Sequence, residues 1–457
     1  MRVVFFVHCF FPAHFYGTET YTLELAKQYR AIGIDAHVVT AISAGEPSAT
    51  DLVTRYEFQE IPVTCIDKNR LPNTRVKDTY YQPEMRPILA QVLRDLQPDA
   101  VHVTHLINHT AALLEAVQEL GIPCYATFTD FFGFCFNNKL EAADGSLCAG
   151  PAPRRSNCMA CHFKDASRHP GTHWALRWGA HPRRIAWLAS AANLARRLPP
   201  LRRGQLDGLL EDLARRPDTL LSLYSAYREV VTPTRFLRAA YERNGFAMPM
   251  RSIPFGVDIE RRPKPSRPAG HRPVVGFIGQ IARHKGTDIL VEAFSRLPKD
   301  AAELHIYGNA DRDPAYMSRL HVMAEGAPIH FRGTFEKEGM REVMDGLDLL
   351  VIPSRWYENS PLVLLNALAT HTPVVVSDVA GMTEFLDEGR NGFSFQRSNV
   401  DSLEHRLGAV VLDRDRLFEL PLTTQYERTP RIMAEETLAI YGQEPAIGLL
   451  ADHLLTT

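Results

Sequence analysis

The sequence predicts an α/β protein built from two doubly wound, parallel-sheet domains facing a cleft. Three observations predict it. Short β-rich runs alternate with amphipathic segments in the first part of the chain, and the same alternation restarts in the second. Between the two series stands a Pro- and Arg-rich linker, ERRPKPSRPAGHRP, Glu260 to Pro273. The length, 457 residues, is also more than one ordinary core accommodates. Open sheets of this class bind ligands beyond the carboxyl ends of their strands. The cleft is therefore where function is to be sought.

Taken in order, VVFFVHCF reads as the first strand. MRVVFFVHCFFP has the charge and apolar run of a secretion signal, but His8 and Pro12 interrupt it and no small-residue cleavage site follows. TYTLELAKQYRAIG is a helix and AHVVTA a strand. PILAQVLRDL is a helix, DAVHVTHL a strand, TAALLEAVQELG a helix and PCYATFT a strand. From Asp130 to about Arg216 the rhythm stops, which marks an insertion, and EVVTPTRFLRAAYERNG resumes it. VVGFIG, DILVEAFSRL, AELHIYG, APIHFRG, DLLVIPS, PLVLLNALA, PVVVSD and NGFSF make the second series. The expected domains are 1–262, including the insertion at 130–216, and 263–425. A helical segment, 426–457, is expected to pack back on the first.

The bulk numbers remove several classes of function. Lys+Arg and Asp+Glu nearly balance, 51 against 53, so no global field favours nucleic acid. No apolar run approaches the roughly 18 residues of a membrane span. Seven cysteines, four of them clustered, suit a reducing cytoplasm better than a disulfide framework. A cytoplasmic location is the expectation.

Three stretches carry candidate chemistry. In GFIGQIARHKGTDILVEAF a strand ends at Gly279, a loop holds Arg283, His284 and Lys285, and a helix begins near Thr287. Backbone N–H groups at a helix start, together with a lysine, suit a diphosphate. Taken alone the signal is weak, and an ordinary strand–loop–helix corner stays open. It is neither a P-loop, since Lys285 precedes Gly286, nor the GxGxxG fingerprint. HFYGTET occupies the same place in the first domain, where Gly17 lets backbone approach a ligand or merely serves a turn. RWYENSPLVLLNAL is the most specific. A core helix capped by Ser360, with Pro361 at its first position, explains the leucines. It does not explain Glu358 beside Asn359 at a sheet edge, nor the polar Asn366 inside an apolar helix.

The combination of GFIGQIARHKGTDILVEAF, PSRWYENSPLVLLNAL and PVVVSDVAGMTEFLDEGRNGFSF resembles family 4 of the retaining glycosyltransferases, over nearly the whole chain. The resemblance implies two Rossmann-like domains in the GT-B arrangement. It implies transfer of a sugar from a nucleotide-diphosphate-sugar to a saccharide or lipid-linked acceptor, with no cofactor or metal for catalysis. On that resemblance Glu358 is the first glutamate of an E-x7-E motif and steadies the sugar, while Lys285 neutralises the diphosphate. Gly17, Gln280, Asn359, Ser360 and Asn366 line the donor. The sequence also departs from the family. Asn366 replaces the second glutamate and gives up a charge-assisted hydrogen bond worth about 1–2 kcal/mol. Gln280 stands in an arginine position, Tyr16 and Ala380 replace glycines, and Thr129 replaces a histidine ahead of Asp130. His105, at a strand end, joins Thr129 and Asp130 as an acceptor-side candidate. A binding protein that has lost transfer is the second reading those departures raise. A nicotinamide oxidoreductase, the third, lacks its fingerprint.

Cys135, Cys148, Cys158 and Cys161 are spaced C-x12-C-x9-C-x2-C in a Gly-, Pro- and Asn-containing loop. The pattern suits a structural zinc site. Plain thiols, disulfides and an iron–sulfur cluster stay open, and His162 is an alternative ligand. From Arg168 to Arg216 ten arginines face three acids, with Trp174, Trp178 and Trp187 among them. That composition fits a solvated basic helical excursion or peripheral contact with a membrane surface.

Overall fold

The computed structural model describes residues 1–43, 51–167, 182–195, 205–311 and 313–442. The chain divides into two compact units, Met1–Pro254 with Pro430–Thr457, and Phe255–Thr429.

The first unit is built on an eight-stranded sheet. Its elements are β1 (Arg2–Phe6), α1 (Gly17–Ala31), β2 (Asp35–Ile42), β3 (Val53–Phe58), β4 (Ile61–Asp67) and α2 (Met85–Leu96). There follow β5 (Ala100–Val103), α3 (Ala112–Glu119), β6 (Cys124–Thr127) and the insertion helices α4 (Ser156–Ala166), α5 (Pro182–Ala195) and α6 (Gln205–Leu223). The unit's sheet ends with β7 (Tyr227–Thr232), α7 (Arg235–Arg243) and β8 (Met250–Ser252). Strand order is β3-β4-β2-β1-β5-β6-β7-β8. Val3 to Phe6 are fully buried, as a central parallel strand covered on both faces requires. The rhythm of the sequence anticipates β1, β2, β5, β6 and β7, but not β4 and β8, which pair parallel with β2 and β7, nor β3, which pairs antiparallel with β4. Gln59 and Glu60 turn that hairpin with φ of 47° and 64°, a conformation normally announced by Asn-Gly.

The second unit holds β9 (Val274–Ile278), α8 (Thr287–Ser295), β10 (Glu303–Tyr307), α9 (Pro314–Ala324), β11 (Ile329–Gly333), α10 (Met340–Asp345) and β12 (Leu349–Ile352). It continues with α11 (Leu362–Ala369), β13 (Val374–Ser377), β14 (Gly392–Phe395), α12 (Val400–Leu412) and α13 (Arg414–Thr423). The order β11-β10-β9-β12-β13-β14 is wholly parallel. It reverses direction between β9 and β12, and the first sheet reverses between β1 and β5. The crevices beyond those strand ends are the topological switch points. Val275, Phe277, Leu290, Leu304, Ile306, Val351 and Leu403 fill the second core.

Both domain boundaries fall elsewhere than the sequence placed them. The break follows Pro254 rather than residue 262, because residues 255–261 are stitched to 426–428. Val257 N–H donates to the Arg428 carbonyl at 3.1 Å. Tyr426 donates its hydroxyl to the Phe255 carbonyl, and Arg261 reaches the carbonyls of Val257, Tyr426 and Arg428. The chain returns to the first unit only at α14 (Pro430–Leu438), which packs on α1. There Tyr441 donates or accepts at His102 Nδ1 across 2.6 Å and meets the Tyr125 ring edge-on. The insertion also runs on to Leu223, through Pro217 inside α6. Met159, Phe163, Ile185, Ala189, Leu210 and Leu213 give it a core of its own. Trp174 and Trp178 lie outside the described residues, and Trp187 is exposed on α5.

Candidate functional site

At the switch point of the second sheet, the loop after β9 carries Lys285 and the loop after β12 carries Glu358. Arg283 to Lys285 form one 3-10 turn closed by Gly286, at φ +73°. A Cβ on Gly286 would stand 1.9 Å from the Pro353 carbonyl oxygen, so the two loops touch through a residue that has no side chain. Gly381 does the same on the other side, at φ +90°, where a Cβ would stand 1.6 Å from the Glu358 carbonyl oxygen.

Clamped between these contacts, Glu358 is 8% exposed. Its Oε1 accepts from Lys285 Nζ at 2.6 Å, from Ser354 Oγ at 2.6 Å and from Trp356 Nε1 at 2.8 Å. Oε2 takes none of the three. Burial would raise the carboxyl's pKa, but the Lys285 ammonium and the three hydrogen bonds outweigh it and hold the group below the ordinary carboxylate value. Lys285 also lies 5.3 Å from the centre of the Trp356 ring. Arg355 bonds Asp288 at 2.9 Å and so ties the same loop to the start of α8.

Of the other donor-side candidates, Ser360 calls for a correction. Ser360 does not cap α11. The helix starts at Leu362 with Pro361 at the capping position, and Ser360 precedes it with φ +61°. Its hydroxyl is buried and has no hydrogen-bond partner among the described residues. The left-handed backbone at Ser360 takes its hydroxyl out of the extended conformation that a capping residue adopts. Asn359 is half-buried beside the Gly381 backbone. Asn366 is half-buried on α11, and its side chain bonds no described residue. Gln280 is half-buried at the end of β9.

The acceptor-side candidates meet at the switch point of the first sheet. Ile107 N–H donates to His105 Nδ1 at 3.1 Å, so the ring proton sits on Nε2 and is donated to Asp130 Oδ2 at 2.9 Å. Asp130 Oδ1 accepts from Phe132 N–H. Thr18 donates to Thr129 Oγ1 at 3.0 Å, which joins the start of α1 to this group. Gly17 is exposed at the first position of α1 with nothing within 4 Å of a Cβ placed there. The fold itself therefore makes no demand for glycine at that position.

Two neighbours escaped sequence reasoning. His8, just past β1, faces His105 with ring centres 4.5 Å apart and approaches Glu19 at 3.4 Å. Burial, then His105, His109 and His14, lower its pKa well below 6.5. Burial raises Glu19, against its backbone hydrogen bonds. In the second unit Ser354 and Trp356 were missed, although both stand within four residues of Glu358. The signal for His8, Ser354 and Trp356 is position just past a strand end beside the topological switch, and for Glu19 the first turn of the helix that follows.

Cys135, Cys148, Cys158 and Cys161 line one cavity with Phe134, Leu140 and Asn157. Among the described residues, the one set of three ligand-type side chains whose ligand atoms close to within 4.8 Å is Glu303, His305 and His330. The four thiols therefore share a cavity without standing at metal-bonding distances. His162 has a buried Nδ1 with no partner among the described residues and lies against Phe136.

Residues 15–261 match the family model described as Glycosyltransferase Family 4, and residues 272–413 the one described as Glycosyl transferases group 1. Alpha-maltose-1-phosphate synthase of Mycolicibacterium smegmatis is 30% identical over 192 residues, covering 38% of this chain and 49% of that protein. The chain spans between about a fifth and about half the length of the curated relatives it matches. Sucrose-phosphate synthase from Thermosynechococcus elongatus superposes with a TM-score of 0.61 at 15% identity, over 97% of this chain and 98% of that one. Anabaena Alr3699/HepE in complex with UDP-glucose superposes with a TM-score of 0.62 at 16% identity, over 96% and 99%. Both likenesses are of fold.

Proposed function

The chain belongs to glycosyltransferase family 4 and has the GT-B fold; from that premise we propose that it moves a sugar, a hexose by preference, from a nucleotide-diphosphate-sugar to a hydroxyl of a saccharide or lipid-linked acceptor, with retention. The observation that carries the reading is the Lys285–Glu358 pair at the switch point of the second sheet. The diphosphate lies by the start of α8, where Lys285 turns from Glu358 to the phosphate and offsets the charge that grows as the glycosidic bond breaks. Glu358 stays ionised at neutral pH, and its Oε2 is available to the positive charge developing on the sugar. Asn366 holds a ribose hydroxyl. The acceptor hydroxyl attacks the face that the diphosphate leaves, and the departing phosphate takes its proton. No catalytic metal is needed in this scheme, because a lysine and helix N–H groups compensate the leaving group.

For the acceptor we assign His105, with its Nε2 proton committed to Asp130, and Thr129. No helix among the described residues is long and apolar enough to cross a membrane. Trp187 and Leu194 are exposed seven residues apart, on one face of α5. That supports peripheral contact of the basic insertion with a lipid surface, where a lipid-linked acceptor would be met.

Asn366 favours one second reading, a protein that binds a nucleotide sugar without turning it over. The separating experiment follows release of nucleoside diphosphate from UDP-, GDP-, ADP-, CDP- and dTDP-sugars with a mixed pool of saccharide acceptors. Release by the wild type, reduced about a hundredfold or more in Glu358→Gln, is expected. Binding of a donor with no release above background by the wild type would move the second reading to the front.

A further inference from the structure

The proposed transfer takes place beyond the carboxyl ends of the strands and leaves the outer edge of the second sheet unused. β10 alternates regularly there. Leu304 and Ile306 are buried in the core, while Glu303, His305 and Tyr307 stand half-buried on the opposite face. The edge strand β11 runs beside it in parallel register, with His305 paired to His330. Residues two apart on a strand share a face, and the His305 and His330 rings meet edge-on with centres 5.4 Å apart. Glu303, His305 and His330 therefore converge, with His330 exposed to solvent.

Their spacing is that of ligands round a small cation. Glu303 Oε2 lies 3.6 Å from His305 Nε2 and 3.7 Å from His330 Nε2. The three residues offer ligand atoms that all stand within 4.8 Å of one another. Oxygen and nitrogen held by one tetrahedral zinc at about 2.0–2.2 Å stand about 3.3–3.6 Å apart, so a small turn of the exposed His330 side chain closes the set. The second observation is that a cation faces the same atoms. Arg332 Nη2 lies 3.0 Å from His305 Nε2. A guanidinium only donates, so Nε2 accepts and presents its lone pair, as a metal-binding imidazole must. Arg272 donates to Glu303 Oε1 at 3.1 Å, which fixes the carboxylate and leaves Oε2 toward the two rings. Ligating carboxylates are commonly steadied in this way.

We propose that Glu303, His305 and His330 bind one divalent transition-metal ion of the zinc class, which displaces Arg332 from His305 and clips the edge strand β11 to β10. Two imidazoles and a carboxylate suit zinc, whereas magnesium and calcium take oxygen ligands. Water completes the coordination on the exposed side. Glu303 is the first residue of β10 and His330 the second of β11, so the ion lies toward the amino ends of these strands. Lys285 and Glu358 follow the carboxyl ends of β9 and β12. The ion therefore takes no part in the transfer scheme and acts on the sheet edge, where an unpaired strand is open to association with another chain. Arg332 and Arg272 repel it, which makes Arg332 the residue that limits affinity.

The test is calorimetric titration of the reduced, metal-free full chain with zinc chloride and with magnesium chloride. The wild type is expected to bind one zinc more than His330→Ala and than Glu303→Gln. Uptake by the cysteines is common to all three proteins and cancels in the comparison. Arg332→Met should bind that zinc about tenfold more tightly than the wild type, because a like charge has been removed. Zinc should also slow hydrogen exchange in residues 329–333 of the wild type and leave it unchanged in His330→Ala. Equal zinc stoichiometry in the wild type and folded His330→Ala overturns the site, and magnesium filling it overturns the class of ion. Unchanged or weaker binding in folded Arg332→Met overturns the displacement of Arg332. Should that variant not fold, unchanged exchange in 329–333 of the wild type on adding zinc overturns the clip.

Discussion

A single carboxylate oxygen, Glu358 Oε1, collects the three hydrogen bonds that define the candidate site of the second unit. The sequence disclosed Glu358, because a carboxylate before an apolar helix is unusual for a plain corner, whereas Lys285 stood out only through the resemblance of the whole motif set. It hid Ser354 and Trp356, since their role depends on how the loop folds back. Because the folded pKa of Glu358 is depressed, its contribution to stability is complete above about pH 4.5 and is lost as pH falls below that value. The difference in melting temperature between wild type and Glu358→Gln should therefore stay flat from about pH 8 to about pH 5 and shrink below. A difference that already shrinks near pH 6 would mean the carboxylate is not held by Lys285. Asn366 yields a gain-of-function prediction. Asn366→Glu should tighten nucleotide binding about tenfold by restoring a charge-assisted bond, and titration calorimetry would register weaker binding if Asn366 does not face the ribose.

Among the elements, the loops rather than the helices do the positioning. α11 is anchored by Leu364, Leu365, Ala367 and Leu368, all buried, so the Glu358 loop hangs from a rigid support. Gly381 then fixes the loop from the opposite side through backbone contact. Gly381→Ala places a Cβ against the Glu358 carbonyl in a backbone conformation alanine resists. It is expected to cost about 2–4 kcal/mol and to reduce donor binding more than tenfold. Thermal unfolding and calorimetry check both, and an unchanged affinity would detach Gly381 from the site. Element by element, strands of the βαβ series were legible from apolar runs between turn residues. The β3–β4 hairpin was not, because Gln59-Glu60 carries no turn signature. Ser360 misled because a good capping residue adopts left-handed backbone there, which residue type alone does not announce.

Across the whole molecule, two units repeat one plan, and each sets its polar cluster at its own topological switch point. That plan was legible from the two series and the linker, whereas the linker's attachment through Arg261 and Tyr426 depends on long-range contacts that no local pattern records. The first unit also buries several neutral histidines. Burial holds His102 at about 3 and His109 at about 4, and lowers His8 well below 6.5. The unfolded chain takes up protons at these sites near pH 6.5 and the folded one does not, so stability falls with pH below that point. Between about pH 6.5 and about pH 5 each fully buried histidine should withdraw about 2 kcal/mol. Urea midpoints at two pH values measure this, and equal midpoints would contradict it. The measurement that tests the central claim most directly is calorimetric titration of wild type and Lys285→Ala with UDP, GDP, ADP, CDP and dTDP. The account predicts that one of them binds the wild type and binds folded Lys285→Ala at least tenfold more weakly. Equal affinity in the two proteins, or no binding of any of the five to folded wild type, would contradict it.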